Sequence, residues 1–191
     1  MIFGTGRPRA AFCLASGPSL TAEDVSIVRQ WRGANTTEER RVVVVNTTFR
    51  AALWADAMYA SNDSWWRVFG VEVAERFTGT KICHPQSRQR GAVCASSNLP
   101  ASRCSGEAAV RIAINSGAAR VYLLGYDCQK TGESAHWHED YELLPNAPNI
   151  SDWLVGFQKL ARDTKNAEII NCTRQTALNV FPRAPLARAL E

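Results

Sequence analysis

The chain has 191 residues, 46% of them apolar and 21% charged, with a formal net charge of +4. That length suits one domain with its own core, and the balance excludes wholesale disorder. No stretch is apolar for long enough to cross a membrane and the first ten residues lack the apolar core of a secretory signal, so a cytoplasmic protein is expected.

The basic residues are 18 arginines against 4 lysines. Arginine forks suit phosphates and carboxylates, although a GC-rich coding bias gives the same excess. There is no dense basic run, so sequence-independent nucleic-acid binding is not demanded. The six cysteines (Cys13, Cys83, Cys94, Cys104, Cys128 and Cys172) are read as reduced thiols, several in or beside apolar, strand-like runs.

In chain order, "AFCLAS" (11–16) reads as a buried strand that breaks into Ser16-Gly17-Pro18-Ser19 and enters a helix over 20–31. "RVVVVNTT" (41–48) is a β-branched strand ending in polar residues, and "ADAMYAS" (55–61) is a weaker one. "KICHP" and "GAVCAS" are short strand candidates. The spacing predicts a helix over 105–116, with Gly117 as its C-cap, then the strand "ARVYLLG" (119–125). A helix over 151–165 and the strand "AEIINC" (167–172) follow, and the tail "FPRAPLARALE" reads as a short helix on the sheet. Apolar strands alternating with helices predict a single α/β domain over 1–191, three-layered and Rossmann-like, with a mainly parallel sheet.

Such folds bind ligands beyond the carboxyl ends of their strands. The strand exits carry Ser16-Gly17-Pro18-Ser19, Asn46-Thr47-Thr48, Ser61-Asn62-Asp63, Gly125-Tyr126-Asp127 and Asn171-Cys172-Thr173, all small, polar or acidic. In the first of these, Gly17 permits close backbone approach, Pro18 pre-sets φ, and Ser19 or Thr21 can cap the helix. Its amides would seat a phosphate, unless the segment is a plain strand-to-helix turn. It is neither a P-loop nor a GxGxxG dinucleotide fingerprint.

"GESAHWHEDYELLPN" (132–146) follows Asp127 and should overhang the same region. His136 and His138 point the same way in an extended segment, with Glu139 and Asp140 adjacent. They suit a general base or a metal, or else lie in a surface loop packed by Trp137. Asp127 and Asp63 can hold a ribose hydroxyl or Mg²⁺; otherwise Asp127 caps the next turn and Asp63 is a helix N-cap, and Asp56 is a weaker candidate of the same kind. Trp65 and Trp66 would stack on a base or fill the core. Cys83-His84-Pro85 with Cys94 and Cys104 matches no zinc spacing.

"LASGPSL" resembles the GxGPSL element shared by two related groups. One is the Campylobacter-type CMP-sialate-dependent sialyltransferases. The other is the 6-hydroxymethylpterin diphosphokinase-like family, which includes flagellin-associated accessory factors and phage proteins. "VVVVNTTF", "CSGEAAVRIAINSGAARVYLLGYDC" and "IINCTRQTALNVFP" resemble the later shared blocks in the same order, covering under half the chain. The resemblance implies that Ser16 and Gly17 meet nucleotide phosphates or ribose, and that Asn46 with Ser61-Asn62-Asp63 lines the donor pocket. It further implies that the Ser105-Gly106 turn reaches the phosphates and that Gly125-Tyr126-Asp127 holds ribose or base. Ser16 stands where the sialyltransferases carry Asn, and this chain is much shorter and lacks a clear acceptor lid.

The expected function is sugar transfer from a nucleotide sugar, with His136 or His138 as base and no required cofactor. Mg-ATP-dependent diphosphoryl transfer to a hydroxymethyl group is the first alternative, and it needs Mg²⁺ on carboxylates. A nucleotide-binding phage accessory protein without turnover is the second, acting in a host cytoplasm. The expected partners are a nucleotide or nucleotide sugar and an acceptor of unstated class, with a homo-oligomer as an option.

Overall fold

The computed structural model describes residues 9–33, 39–84, 86–87, 93–94, 102–139, 141–144 and 149–190. The strands are β1 (Ala10–Leu14), β2 (Arg40–Val45), β3 (Ala57–Ala60), β4 (Thr80–Cys83), β5 (Val93–Cys94), β6 (Arg120–Leu124) and β7 (Glu168–Asn171). The helices are α1 (Ala22–Gly33), α2 (Asp63–Arg76), α3 (Ser105–Asn115), α4 (Ile150–Asp163) and α5 (Leu186–Ala189), and a 3-10 turn (Asn46–Arg50) follows β2.

The strands form one sheet in the order β5-β4-β3-β2-β1-β6-β7, and every pair is parallel. The chain steps outward from β1 to β5, and α3 then carries it back across the sheet to β6 on the other side of β1. The order therefore reverses between β1 and β6, the crevice position that open α/β sheets use for ligands.

Period-two alternation divides the core. Ala11, Cys13, Val43, Val45, Ala57, Tyr59, Val121 and Leu123 face α3 and α4. Phe12, Leu14, Val42, Val44, Met58, Ala60, Tyr122 and Leu124 face the layer that includes α1, α2 and α5. Both faces of the central strands are covered, which is why they read as continuous apolar runs. Across β1 and β6, Phe12 stacks on Tyr122 with ring centroids 4.8 Å apart. No helix among the described residues is long and apolar enough to cross a membrane.

The sequence offers α2 only through Asp63 as a helix N-cap, with no helical pattern read along the segment. Its segment "DSWWRVFGVEVAER" carries three valines and Gly70, poor helix formers, and Val71 is left 71% exposed. Packing forms it instead: Trp65, Trp66 and Val73 are buried, and the indole nitrogen of Trp66 donates to the Ala60 carbonyl. The tryptophans are core residues. Of "GAVCAS" only Val93–Cys94 is described, and Pro85 and Asp140 lie outside the described residues.

Asp56 is not a ligand-site residue. It precedes β3 at the amino end of the sheet, where it accepts Arg32 Nε and Nη2 and, at 2.7 Å, the Val42 amide. These charge-assisted bonds tie α1 to β2 and β3. Asp56→Ala is expected to cost about 2 kcal/mol by losing them, lowering the thermal midpoint by roughly 4–8 °C. A calorimetric scan checks this, and ligand affinity at the far end of the sheet should be unchanged.

Candidate functional site

The exits of β1, β2, β3 and β6, the first turn of α3 and the start of α4 surround one cleft of about 440 Å³. That size holds one drug-sized or nucleotide-sized ligand. Ser16, Gly17, Asn46, Asn62, Ser105, Gly106, Gly125, Tyr126, Asp127 and His136 line it. Pro18, Ser19, Asp63 and His138 are not among its lining residues. The Asp63 carboxylate at the start of α2 accepts the Ser87 hydroxyl instead.

The Gly17-Pro18 turn joins two strands. Gly17 N donates to Gly125 O at 2.8 Å, and a Cβ on Gly17 would stand 2.4 Å from that oxygen and 2.0 Å from Asp127 Oδ1. Gly125, at φ +71°, has the mirror restriction: its Cβ would stand 2.3 Å from Ala15 O. Both glycines are needed so that β1 and β6 can cross this closely.

The amides ahead of α1 are already engaged, which corrects the phosphate seat expected there. Ser19 N donates to Asp127 Oδ2, Leu20 N to Gly17 O, and Thr21 N to Asp24 Oδ2, while Asp24 N returns to Thr21 Oγ1. Asp24 is 2% exposed and paired with Arg174 at 2.9 Å. This end of α1 carries its own carboxylates, so a bound anion would meet like charge.

Three other helix starts open on the cleft. The Cys104 sulfur caps α3 by accepting Glu107 N, and Ser105 Oγ accepts the Ser61 amide. The buried Glu107 carboxylate accepts Arg103 N and pairs with Arg111 at 2.8 Å, so its charge is balanced away from the cleft. Gly156 of α4 permits this contact, since its Cβ would lie 2.3 Å from Glu107 Oε2. The N-caps of α2 and α4, Asn62 and Asn149, make no side-chain cap bond and both line the cleft. The helix ends of α2 and α4, without side-chain caps, and the exposed Arg103 guanidinium, which pairs with Asp152 at 3.8 Å, favour an anionic ligand here. Arg103 and the α4 wall escaped the sequence reading because only the packing of α4 on α3 brings them to the strand exits.

Residues 129–139 and 141–144 fold over the cleft. Trp137 N donates to Ser16 O and its indole nitrogen to Thr48 Oγ1, which lies 2.9 Å from Ser16 Oγ. Tyr141 OH lies 2.7 Å from Thr47 Oγ1. The His136 and His138 rings stack with centroids 4.9 Å apart, and Tyr141 packs against both. His136 faces the cleft and His138 lies behind it, with Nδ1 2.6 Å from the Glu139 carbonyl. Asn46 and Cys128, both at φ +49°, also line the cleft. Left-handed backbone at ordinary residues concentrates at functional positions.

Asp127 is 1% exposed, and its Oδ1 has no hydrogen-bond partner among the described residues. Burial raises its pKa above the usual carboxylate range, against the lowering effect of Ser19. The fifth strand exit braces this corner: Thr173 Oγ1 accepts Tyr126 N, and Ala177 N donates to Asp127 O. The cleft thiol of Cys104 is pushed up to about 12 by burial, and that of Cys128 is pushed up as well, so neither is an activated nucleophile. Among the described residues no group of three or more His, Cys, Asp or Glu side chains gathers to hold a metal ion.

No family model and no curated protein matches the sequence. Solved structures do share the fold. The MAf glycosyltransferase from Magnetospirillum magneticum AMB-1 superposes over 96% of this chain at TM-score 0.69 and 12% identity. This chain spans about a third (34%) of that enzyme's length. The sialyltransferase CstII from Campylobacter jejuni, solved with the substrate analogue CMP-3FNeuAc, superposes over 93% of this chain and 86% of its own at TM-score 0.59 and 13% identity.

The raised pKa of Asp127 sets a sign for its effect on stability. A buried acid of this kind is best tolerated when protonated, so its burial costs stability progressively as pH rises from about 4 through the raised value. Asp127→Asn keeps an acceptor for Ser19 N and removes that charge. Its thermal midpoint at pH 7 should equal or exceed that of the unsubstituted protein. The gap should narrow as pH falls through the same window, and differential scanning between pH 3.5 and 8 checks both signs.

Proposed function

We propose that the chain binds a nucleotide sugar in this cleft and transfers the sugar to an acceptor hydroxyl. The observation that carries the reading is the division of helix ends. The start of α1 takes no part in the cleft wall, with Asp127 and Asp24 on its Ser19 and Thr21 amides, whereas the starts of α2, α3 and α4 line the cleft together beside Arg103, which pairs with Asp152 at 3.8 Å. Such a surface favours a phosphate and stabilises it as a leaving group. Both fold neighbours are glycosyltransferases, and the Campylobacter structure holds a CMP-linked sugar analogue.

In this reading the α3 amides and Arg103 hold the donor phosphate, and Asp127 Oδ1 accepts a hydroxyl of the nucleoside. His136 takes the proton from the acceptor oxygen as that oxygen attacks the anomeric carbon. The bond from that carbon to the phosphate oxygen breaks, and the electron pair leaves on the phosphate. His138 and Tyr141 fix the His136 ring from behind, a preorganisation that acid–base catalysis requires.

Diphosphoryl transfer is less well supported. Mg²⁺ chemistry on phosphates uses converging carboxylates, and Asp63 is engaged with Ser87 while Asp127 is the one carboxylate among the described residues that lines the cleft. Asp63 and Asp127 do not form a Mg²⁺ pair. A binding module without turnover would place both histidines in solvent, yet His136 is half-buried against the cleft.

The test is a panel of CMP, UDP, GDP, dTDP and ATP with their sugar conjugates, each with and without Mg²⁺, read by thermal shift and by nucleotide release. A pyrimidine nucleotide at a hundredfold over its Kd should add about 2.7 kcal/mol without metal. His136→Gln should keep that shift and lose at least about a hundredfold in sugar release or transfer. Wild-type turnover in His136→Gln would remove the base assignment. A shift seen only with Mg-ATP would replace sugar transfer by diphosphoryl transfer.

A further inference from the structure

The cleft has two chemically distinct ends. At the β2 end, His136 packs against Tyr141, which reaches Thr47. At the β6 end, Tyr126 donates through its hydroxyl to Gly106 O and packs edge-on against Phe157 of α4, with ring centroids 5.7 Å apart. There the wall is apolar and comes from α4: Ile150, Trp153 and Phe157.

Trp153 differs from Trp65, Trp66 and Trp137. Trp65 and Trp66 are 3% and 4% exposed, pair with each other and spend their indole nitrogens on Thr47 and Ala60. Trp137 donates to Thr48. Trp153 is only partly buried, lines the cleft, and among the described residues its side chain has no ring, cation or hydrogen-bond partner. An indole left open inside a concave site offers a face to a flat ligand ring.

We infer that Trp153 is the stacking platform for the nucleobase, and so a specificity-determining residue. The inference rests on the nucleotide-sugar reading and deepens it. The group being transferred must lie beside His136, and the phosphate lies at the α3 start between the two ends. The nucleoside therefore extends away from His136, toward the α4 wall. A flat ring with an apolar face can also be a sugar, so the experiment separates the two sources.

Calorimetric titrations of the full chain would compare the best-binding nucleoside monophosphate with ribose 5-phosphate, which keeps the phosphate and sugar but has no base. A methyl glycoside of the donated sugar is the third ligand. Trp153→Ala should weaken the nucleoside monophosphate about tenfold to a hundredfold, the range for loss of one base–aromatic stack. Ribose 5-phosphate should change by less than about twofold, and Trp153→Phe should restore most of the loss. Trp153→Leu, which keeps apolar bulk, replaces the alanine variant if thermal scans show that one unfolded, and should also lose affinity for the base-bearing ligand alone.

Equal loss of nucleotide and ribose phosphate, no loss of either, or a loss confined to the glycoside would each overturn the platform while leaving nucleotide binding intact. A wild-type protein that binds no nucleotide at all would remove the broader reading together with this one.

Discussion

Two glycines from separate strands hold this structure together at its working end. Gly17 after β1 and Gly125 after β6 approach until the amide of one meets the carbonyl of the other at 2.8 Å, and neither has room for a Cβ. The sheet order reverses between these strands, so the contact closes the bottom of the crevice where a ligand would otherwise sink between them. It also fixes the backbone that delivers Asp127, whose carboxylate reaches across to Ser19 N. An added methyl at either glycine would separate the strand exits and move every group built on them.

From that contact follows the electrostatic layout. With Asp127 on one side and the Asp24–Arg174 pair on the other, the Ser19, Thr21 and Asp24 amides at the start of α1 are engaged and Asp24 is paired. The starts of α2, α3 and α4 line the cleft instead, with Glu107 N capped by the Cys104 sulfur and the Glu107 carboxylate paired with Arg111. Packing makes this arrangement possible at Gly156, where α4 can lie against Glu107 only without a side chain. Residues 129–139 and 141–144 then cover the remaining side, anchored through Trp137 and Tyr141 to threonines of the turn after β2.

Much of this was legible in the amino-acid order, for identifiable reasons. β2 announces itself as an uninterrupted β-branched run because both of its faces are buried. Gly125-Tyr126-Asp127 and Ser105-Gly106 stood out as small and polar residues at element ends. The helix α2 did not, because its valines and Gly70 work against helix formation and only the tertiary contacts of Trp65, Trp66 and Val73 decide it. The turn at Gly17 was legible as special but not as to purpose. Ser-Gly-Pro-Ser serves equally a phosphate seat or a closed cap, and the deciding partner, Asp127, lies 108 residues from Ser19. Trp153 carried no local signal at all, since a tryptophan in the first turn of an amphipathic helix reads as core until the neighbouring helix is placed.

The central claim is that the anion seat belongs to α3 and not to α1. A crystal structure of the protein soaked with the nucleotide that stabilises it most tests this directly. The account predicts phosphate oxygens within hydrogen-bond distance of the Ser105 and Gly106 amides or the Arg103 guanidinium, with the Asp127–Ser19 bond intact. Phosphate oxygens on the amides of residues 19–22, with Asp127 displaced from Ser19, would contradict it.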